Sequence, residues 1–409
     1  MAKIFTEIQK QQIAKLKSRY DFIKNFVSIE TLSGIILFLV TVLAVYIANS
    51  SYSNNYFEFF SSYLSISFAN YSFSMSLLHW VNDVLMAIFF LVVGMEIKKD
   101  MLVGELSSFK QASFPIIAAI GGMIIPALIY LSLNKEHPTG FGVPMATDIA
   151  FALGILMLLG KRVNISLKLF LVTLAVVDDL GAIIVVAIFY TSELNYIFFL
   201  YSALVYACLI FLNYIGVRKI LPYIVLGIIL WFCVHSSGIH STIAGVLLAF
   251  TIPLKTKNFD KNYEFENAPL DKLSLALHNF SAFVIMPLFA FANAGVIIDF
   301  SSVITHKYIV LGVALGLILG KPIGIFTFTY LATKLKISVK PASVSWSEII
   351  AAGFLGGIGF TMSIFISHLA FSDESIVSAV KLGIFASSIT AAIIGVILIL
   401  LNNKANKYN

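Results

Sequence analysis

Twelve apolar runs follow one another along the chain, near residues 32–49, 79–97, 113–133, 143–160, 169–190, 196–217, 222–236, 238–254, 275–297, 308–330, 347–370 and 382–401. A helix needs about 20 such residues to cross the hydrocarbon core of a bilayer. No water reaches backbone N–H and C=O groups there, so the spanning segments must satisfy them internally. The pattern predicts an all-α polytopic membrane protein with about twelve transmembrane helices. The seventh and eighth runs are short and meet at "HSSG", residues 235–238.

Composition agrees. The chain is 59% hydrophobic and 12% charged, against about 45–50% and about 25% for soluble domains. The net charge of +6 is spread between apolar runs rather than gathered on a face or tail, so no nucleic-acid partner is expected. Cys208 and Cys233 sit in apolar runs without metal-ligand spacing and read as buried thiols.

Charge placement sets the topology. With the N-terminus inside, 23 of the 27 Lys and Arg residues fall in segments on the inner side. Only Lys135, Lys307 and Lys381 fall outside, and Lys321 lies within a span. That is the positive-inside bias of an even number of spans with both termini cytoplasmic.

Residues 1–30 carry six Lys/Arg and lack the apolar core of a signal peptide. Ile4, Ile8, Leu16, Tyr20, Ile23 and Val27 fall near helical spacing, which suits either an amphipathic helix on the membrane surface or a solvated basic tail. Residues 31–401 then form the transmembrane domain, and 402–409 a cytoplasmic tail. The external loop 50–78 has no Lys or Arg, and "YLSISFANYSFSMS" partly alternates. A β-hairpin fits, with an exposed edge suited to a homodimer contact; an irregular loop is the alternative.

Ionisable groups deep in a span are expensive and mark ion paths, proton relays or counter-ions. Asp178 and Asp179 stand about ten residues into span five, in "LAVVDDLGAII". Neighbours on a helix point about 100° apart, so the carboxylates do not face each other. Both are nonetheless expected to border one water-filled cavity and to titrate as a coupled unit. Such a pair can hold protons or release them for a hard cation, which wants oxygen ligands. Lys321, in "ILGKPIGIF", is the expected partner of one aspartate, since an unpaired lysine at mid-span is costly. A structural ion pair with no transport role leaves the other aspartates unneutralised.

Asp148 lies in "GVPMATDIAFALGIL", after Pro144 and Thr147, and span eleven carries glycines at 353, 356, 357 and 359. Non-helical backbone at that depth must be buried in protein or line a cavity, and paired broken helices mark transporter sites. Spans four and eleven are seven apart, so spans 3–5 and 10–12 run in opposite directions, the parity of an inverted repeat. The glycines also fit close helix packing.

These stretches, with "PLFAFANAGV", "WVNDVLMAIFFLVVGMEIKKD" and "GIGFTMSIFIS", resemble the signatures of the bacterial NhaA-type sodium/proton antiporters over roughly residues 30 to 400. Inverted repeats around midplane sites are a known property of that family. The resemblance implies a transporter, not an enzyme, in the bacterial cytoplasmic membrane. It would export Na⁺ or Li⁺ in exchange for H⁺, with no cofactor. It implies Asp178 and Asp179 as the cation- and proton-binding pair and Lys321 as their charge partner. Thr147 and Asp148 match the first broken helix. Glu96, Lys99 and His240 match residues linked to pH sensing, although His240 could equally be a packed histidine. One departure touches pH regulation: where well-studied members carry a Glu-His pair before span nine, this chain has Ser274 and Leu275. It keeps His278 and offers Glu264, Glu266 and Asp271.

Exchange of one Na⁺ for two protons at the pair would move one net charge per cycle, with Asp178 and Asp179, or Asp179 and Lys321, as the proton carriers. Three rival readings fit less well. An intramembrane aspartyl protease needs facing aspartates, a channel needs a selectivity ring, and a carrier of organic solutes needs an aromatic or basic pocket.

Overall fold

The apolar runs fold as helices because a helix pairs the backbone groups of a single spanning segment within that segment. The computed structural model describes residues 31–68, 71–191, 193–254 and 268–408. The basic segment 1–30, with Glu264 and Glu266, lies outside the described residues.

In chain order, α1 (Thr31–Ala48) and a short α2 (Ser53–Ser61) lead to an antiparallel hairpin. Its strands are β1 (Tyr63–Phe68) and β2 (Tyr71–Ser76), with Tyr63 opposite Ser76 and Phe68 opposite Tyr71. Then come α3 (Leu77–Val103) and α4 (Phe109–Leu133). A 3₁₀ turn, Pro138–Met145, feeds α5 (Ile149–Leu158). It is followed by α6 (Ile165–Phe189), α7 (Tyr196–Tyr214), α8 (Ile220–Ser236) and α9 (Ile243–Thr251). The remainder is α10 (Pro269–Asn293), α11 (Phe300–Thr305), α12 (Lys307–Lys334), α13 (Trp346–Gly356), α14 (Phe360–Ala370) and α15 (Glu374–Tyr408).

Length and apolarity alone meet the expected twelve spans in part. Among the described residues nine helices are long and apolar enough to span a bilayer, and α13 with α14, bent by 50°, would make a tenth. The seventh and eighth runs form the shorter α8 and α9. They part at Gly238, whose φ of +85° is a left-handed conformation that glycine adopts with least strain.

Among the described residues three helices contain a π-turn: Trp80–Leu85 in α3, Ser281–Ile285 in α10 and Gly316–Gly320 in α12. Two of them end just before Pro287 and Pro322. A proline ring clashes with the carbonyl four residues back and brings no N–H. Widening the preceding turn relieves that clash and lets each helix continue through its proline.

Burial separates centre from rim. In the span formed by the 3₁₀ turn and α5, 67% of the apolar window is buried, and in α6 56%, against 11% in α7. The first two therefore sit inside the bundle, and α7 lies at its rim. Close contact of α4 with α12 depends on glycine: a Cβ on Gly324 would overlap the Gly121 carbonyl, and one on Gly121 would overlap the Gly324 carbonyl. Gly324→Val is expected to destabilise the fold by about 1–3 kcal/mol, read as earlier thermal unfolding in detergent. An unchanged melting curve would contradict this contact.

Candidate ion site

The centre of the site is Lys321, which is 1% exposed. Its ammonium donates to Asp178 Oδ2 at 2.5 Å and to Thr147 Oγ1 at 2.8 Å. Thr147 passes the polarity on by donating to the Gly356 carbonyl at 2.7 Å. The chain of contacts therefore links α6, α12 and both interrupted spans. The other carboxylate oxygen of Asp178 has no hydrogen-bond partner among the described residues.

Asp148 stands where the interrupted spans cross. The backbone is extended at Ala146 and Asp148, between the 3₁₀ turn and α5. The Asp148 amide donates to the Ile358 carbonyl at 2.7 Å. Its carboxylate accepts from Phe151 N at 3.1 Å, from Thr361 N at 3.0 Å and from the Thr361 hydroxyl. One carboxylate thus caps the N-termini of α5 and α14 together. Both ends carry unpaired N–H groups and positive dipole potential, so an anion there is stabilised.

The two adjacent aspartates part company. A cavity, partly open to solvent, is lined by Asp179 and Asp148 but not by Asp178. The lining follows helical stripes: Val172, Val176 and Asp179 on α6, and Phe89, Val92, Val93 and Glu96 on α3. Asp178 is one residue off its stripe and is turned toward Lys321. The expectation that both carboxylates border one cavity is corrected accordingly. Asp179 is buried, and its carboxylate takes no hydrogen bond from the described residues. The charges within its electrostatic reach are Asp178, Asp148, Lys321 and Glu96. A bare carboxylate at that depth needs a proton or a cation.

The three residues matched to pH sensing are not brought together. Glu96 Oε1 takes His278 Nδ1 at 3.1 Å, and both line the cavity. Lys99, one turn on, pairs instead with Asp271 at 2.7 Å. His240 lies at the opposite end of α3. Its Nδ1 meets Thr242 Oγ1 at 2.8 Å, and its Nε2 is 3.7 Å from Asp83 Oδ1, which also accepts from Ser241 at 2.9 Å.

Thr361, on the Asp148 carboxylate, and Ser281, on the cavity wall, do not stand out in the sequence. Thr361 could have been found as a hydroxyl at the helix start after the glycine-rich break of span eleven. Ser281 carries only a weak signal, three residues after His278 on the same helix face.

Paired and unpaired carboxylates at bilayer depth, inside a bundle of apolar helices, define a multi-pass membrane protein of the ion-coupled transporter class. The family model described as Na+/H+ antiporter 1 matches residues 24–399, and the chain belongs to that family. It is 71% identical over 393 residues to the Na(+)/H(+) antiporter NhaA 2 of Aliarcobacter butzleri (strain RM4018), covering 95% of this chain and 99% of that one. It is 49% identical over 410 residues to the Na(+)/H(+) antiporter NhaA of Helicobacter pylori (strain HPAG1), covering 91% and 94%. Among solved structures, the sodium proton antiporter MjNhaP1 from Methanocaldococcus jannaschii covers 92% of this chain and 97% of its own, at 13% identity and a TM-score of 0.44. That likeness is too distant to bear on the assignment. The resemblance read from the motifs thus holds along nearly the whole chain.

Proposed function

We propose that this protein is a secondary Na⁺/H⁺ antiporter that exports Na⁺ or Li⁺ by alternating access around Asp178 and Asp179. The observation that carries the reading is the unpartnered Asp179 carboxylate on the cavity, next to an Asp178 held by Lys321. From the cytoplasmic side the cavity admits Na⁺ past Glu96 to Asp179. As the ion binds, Asp178 exchanges its lysine partner for the cation, and Lys321 retains Thr147. On the other side protons displace the ion. Only loaded states cross, because a bare pair of buried carboxylates is costly to occlude.

The proposal includes twelve spans with both termini cytoplasmic in a bacterial inner membrane. Spans 3–5 and 10–12 form an inverted repeat, and spans four and eleven are broken where Asp148 caps two helices. The β1–β2 edge is assigned to a homodimer contact. The Glu96–His278 and Lys99–Asp271 pairs are assigned to pH regulation at the cavity mouth, and His240 to a second, outer cluster.

The basic test is collapse of a pH gradient on adding NaCl to everted vesicles carrying the protein; no response would overturn the exchange reading. The second test concerns charge. With two protons per Na⁺, 100 mV across reconstituted vesicles contributes about 2.3 kcal/mol per cycle. It is expected to shift the equilibrium Na⁺ gradient about 50-fold. A gradient indifferent to the imposed potential would mean electroneutral exchange.

A further inference from the structure

We propose that the cavity carries a second, outer cation site, in which the Ser281 hydroxyl and the Glu96 carboxylate hold the ion before it reaches Asp179. The inference rests on the exchange reading above and adds to it a binding step and a residue that sets affinity.

Six of the side chains lining the cavity are polar: Ser33, Glu96, Asp148, Asp179, His278 and Ser281. Asp148 is consumed by its caps on α5 and α14. His278 is spent on Glu96 Oε1. Between Glu96 and Asp179 the α3 and α6 walls offer only Phe89, Val92, Val93, Val172 and Val176. A hard cation crossing that stretch sheds water and needs replacement oxygens.

Ser281 supplies one. It lies one helical turn deeper than His278 on the same face of α10, at the first residue of a π-turn. It is 5% exposed, and its hydroxyl makes no hydrogen bond with the described residues. Buried hydroxyls in helices usually bond back to the preceding turn. Thr329 and Ser387 do so here, to Ile325 and Gly383. The Ser281 hydroxyl makes no such bond, and the residue lines the cavity. A buried, unspent hydroxyl carries a desolvation cost unless a ligand meets it, and the charge that attracts the ligand is Glu96.

The experiment is the Na⁺ dependence of exchange in everted vesicles. Ser281→Ala is expected to raise the apparent KM for Na⁺ about five- to tenfold, the size of one lost polar contact. The maximal rate should stay within about twofold, the signature of lost binding shared by resting and transition states. Ser281→Cys, which keeps the volume but replaces the hard oxygen, is expected to behave like Ser281→Ala. Ser281→Thr, which keeps the hydroxyl, is expected to restore a KM near wild type. An unchanged KM in both Ser281→Ala and Ser281→Cys would overturn the outer site while leaving the exchange reading intact. A fall in maximal rate with KM unchanged would do the same. A wild type without Na⁺-driven exchange would sink the exchange reading and this site with it.

Discussion

Asp179→Asn is expected to abolish Na⁺-driven collapse of a pH gradient in everted vesicles while leaving the protein folded. The substitution keeps the shape and removes the charge. The Asp179 carboxylate has no hydrogen bonds to lose among the described residues, and the amide is cheaper to bury than the carboxylate. What disappears is the anionic oxygen pair that a cation would meet at the cavity. Removing one partner of a buried charge contact costs about 3–5 kcal/mol, which is more than 100-fold in affinity. Exchange persisting within about tenfold of wild type would place the ion site elsewhere. Loss of exchange with an unchanged melting temperature would tie the defect to chemistry rather than to folding.

Lys321→Ala is expected to lower stability by about 3–5 kcal/mol, seen as a drop of several degrees in the melting temperature in detergent. Lys321 and Asp178 are 1% and 2% exposed, so water does not screen the pair. Their net contribution to folding is small, because desolvation offsets the attraction. Removing the lysine alone leaves Asp178 buried and uncompensated, and it also strips Thr147 of its donor. The double variant Lys321→Ala with Asp178→Ala should recover much of the loss, since an apolar pair has no charge to bury. Equal destabilisation by the single and double variants would mean that volume, not charge, sets the cost.

Much of the site was legible without coordinates. Asp148, Asp178, Asp179 and Lys321 stand out because carboxylates and lysine are rare at that depth. The lysine–aspartate pairing follows from the cost of an unpaired ammonium. Helix content follows from the apolar runs alone, because the bilayer enforces backbone pairing whatever packs around it. Span number was less legible. The chain around Gly238 divides two short runs into α8 and α9, and length thresholds blur there.

Tertiary structure decided which aspartate does what. Adjacent residues on a helix differ by about 100° in direction, but sequence does not say which direction holds the lysine and which the cavity. The rotation of α6 against α12 settles it, turning Asp178 to Lys321 and Asp179 to the opening. The same holds for Asp148 and Thr361, 213 residues apart, whose meeting needs two interrupted spans to cross. It holds for Lys99, which finds Asp271 rather than Glu96. By itself the sequence determined where charge is buried, because that is a matter of composition along one helix. Partner choice depends on how helices distant in the chain rotate and cross, and that only their packing could decide.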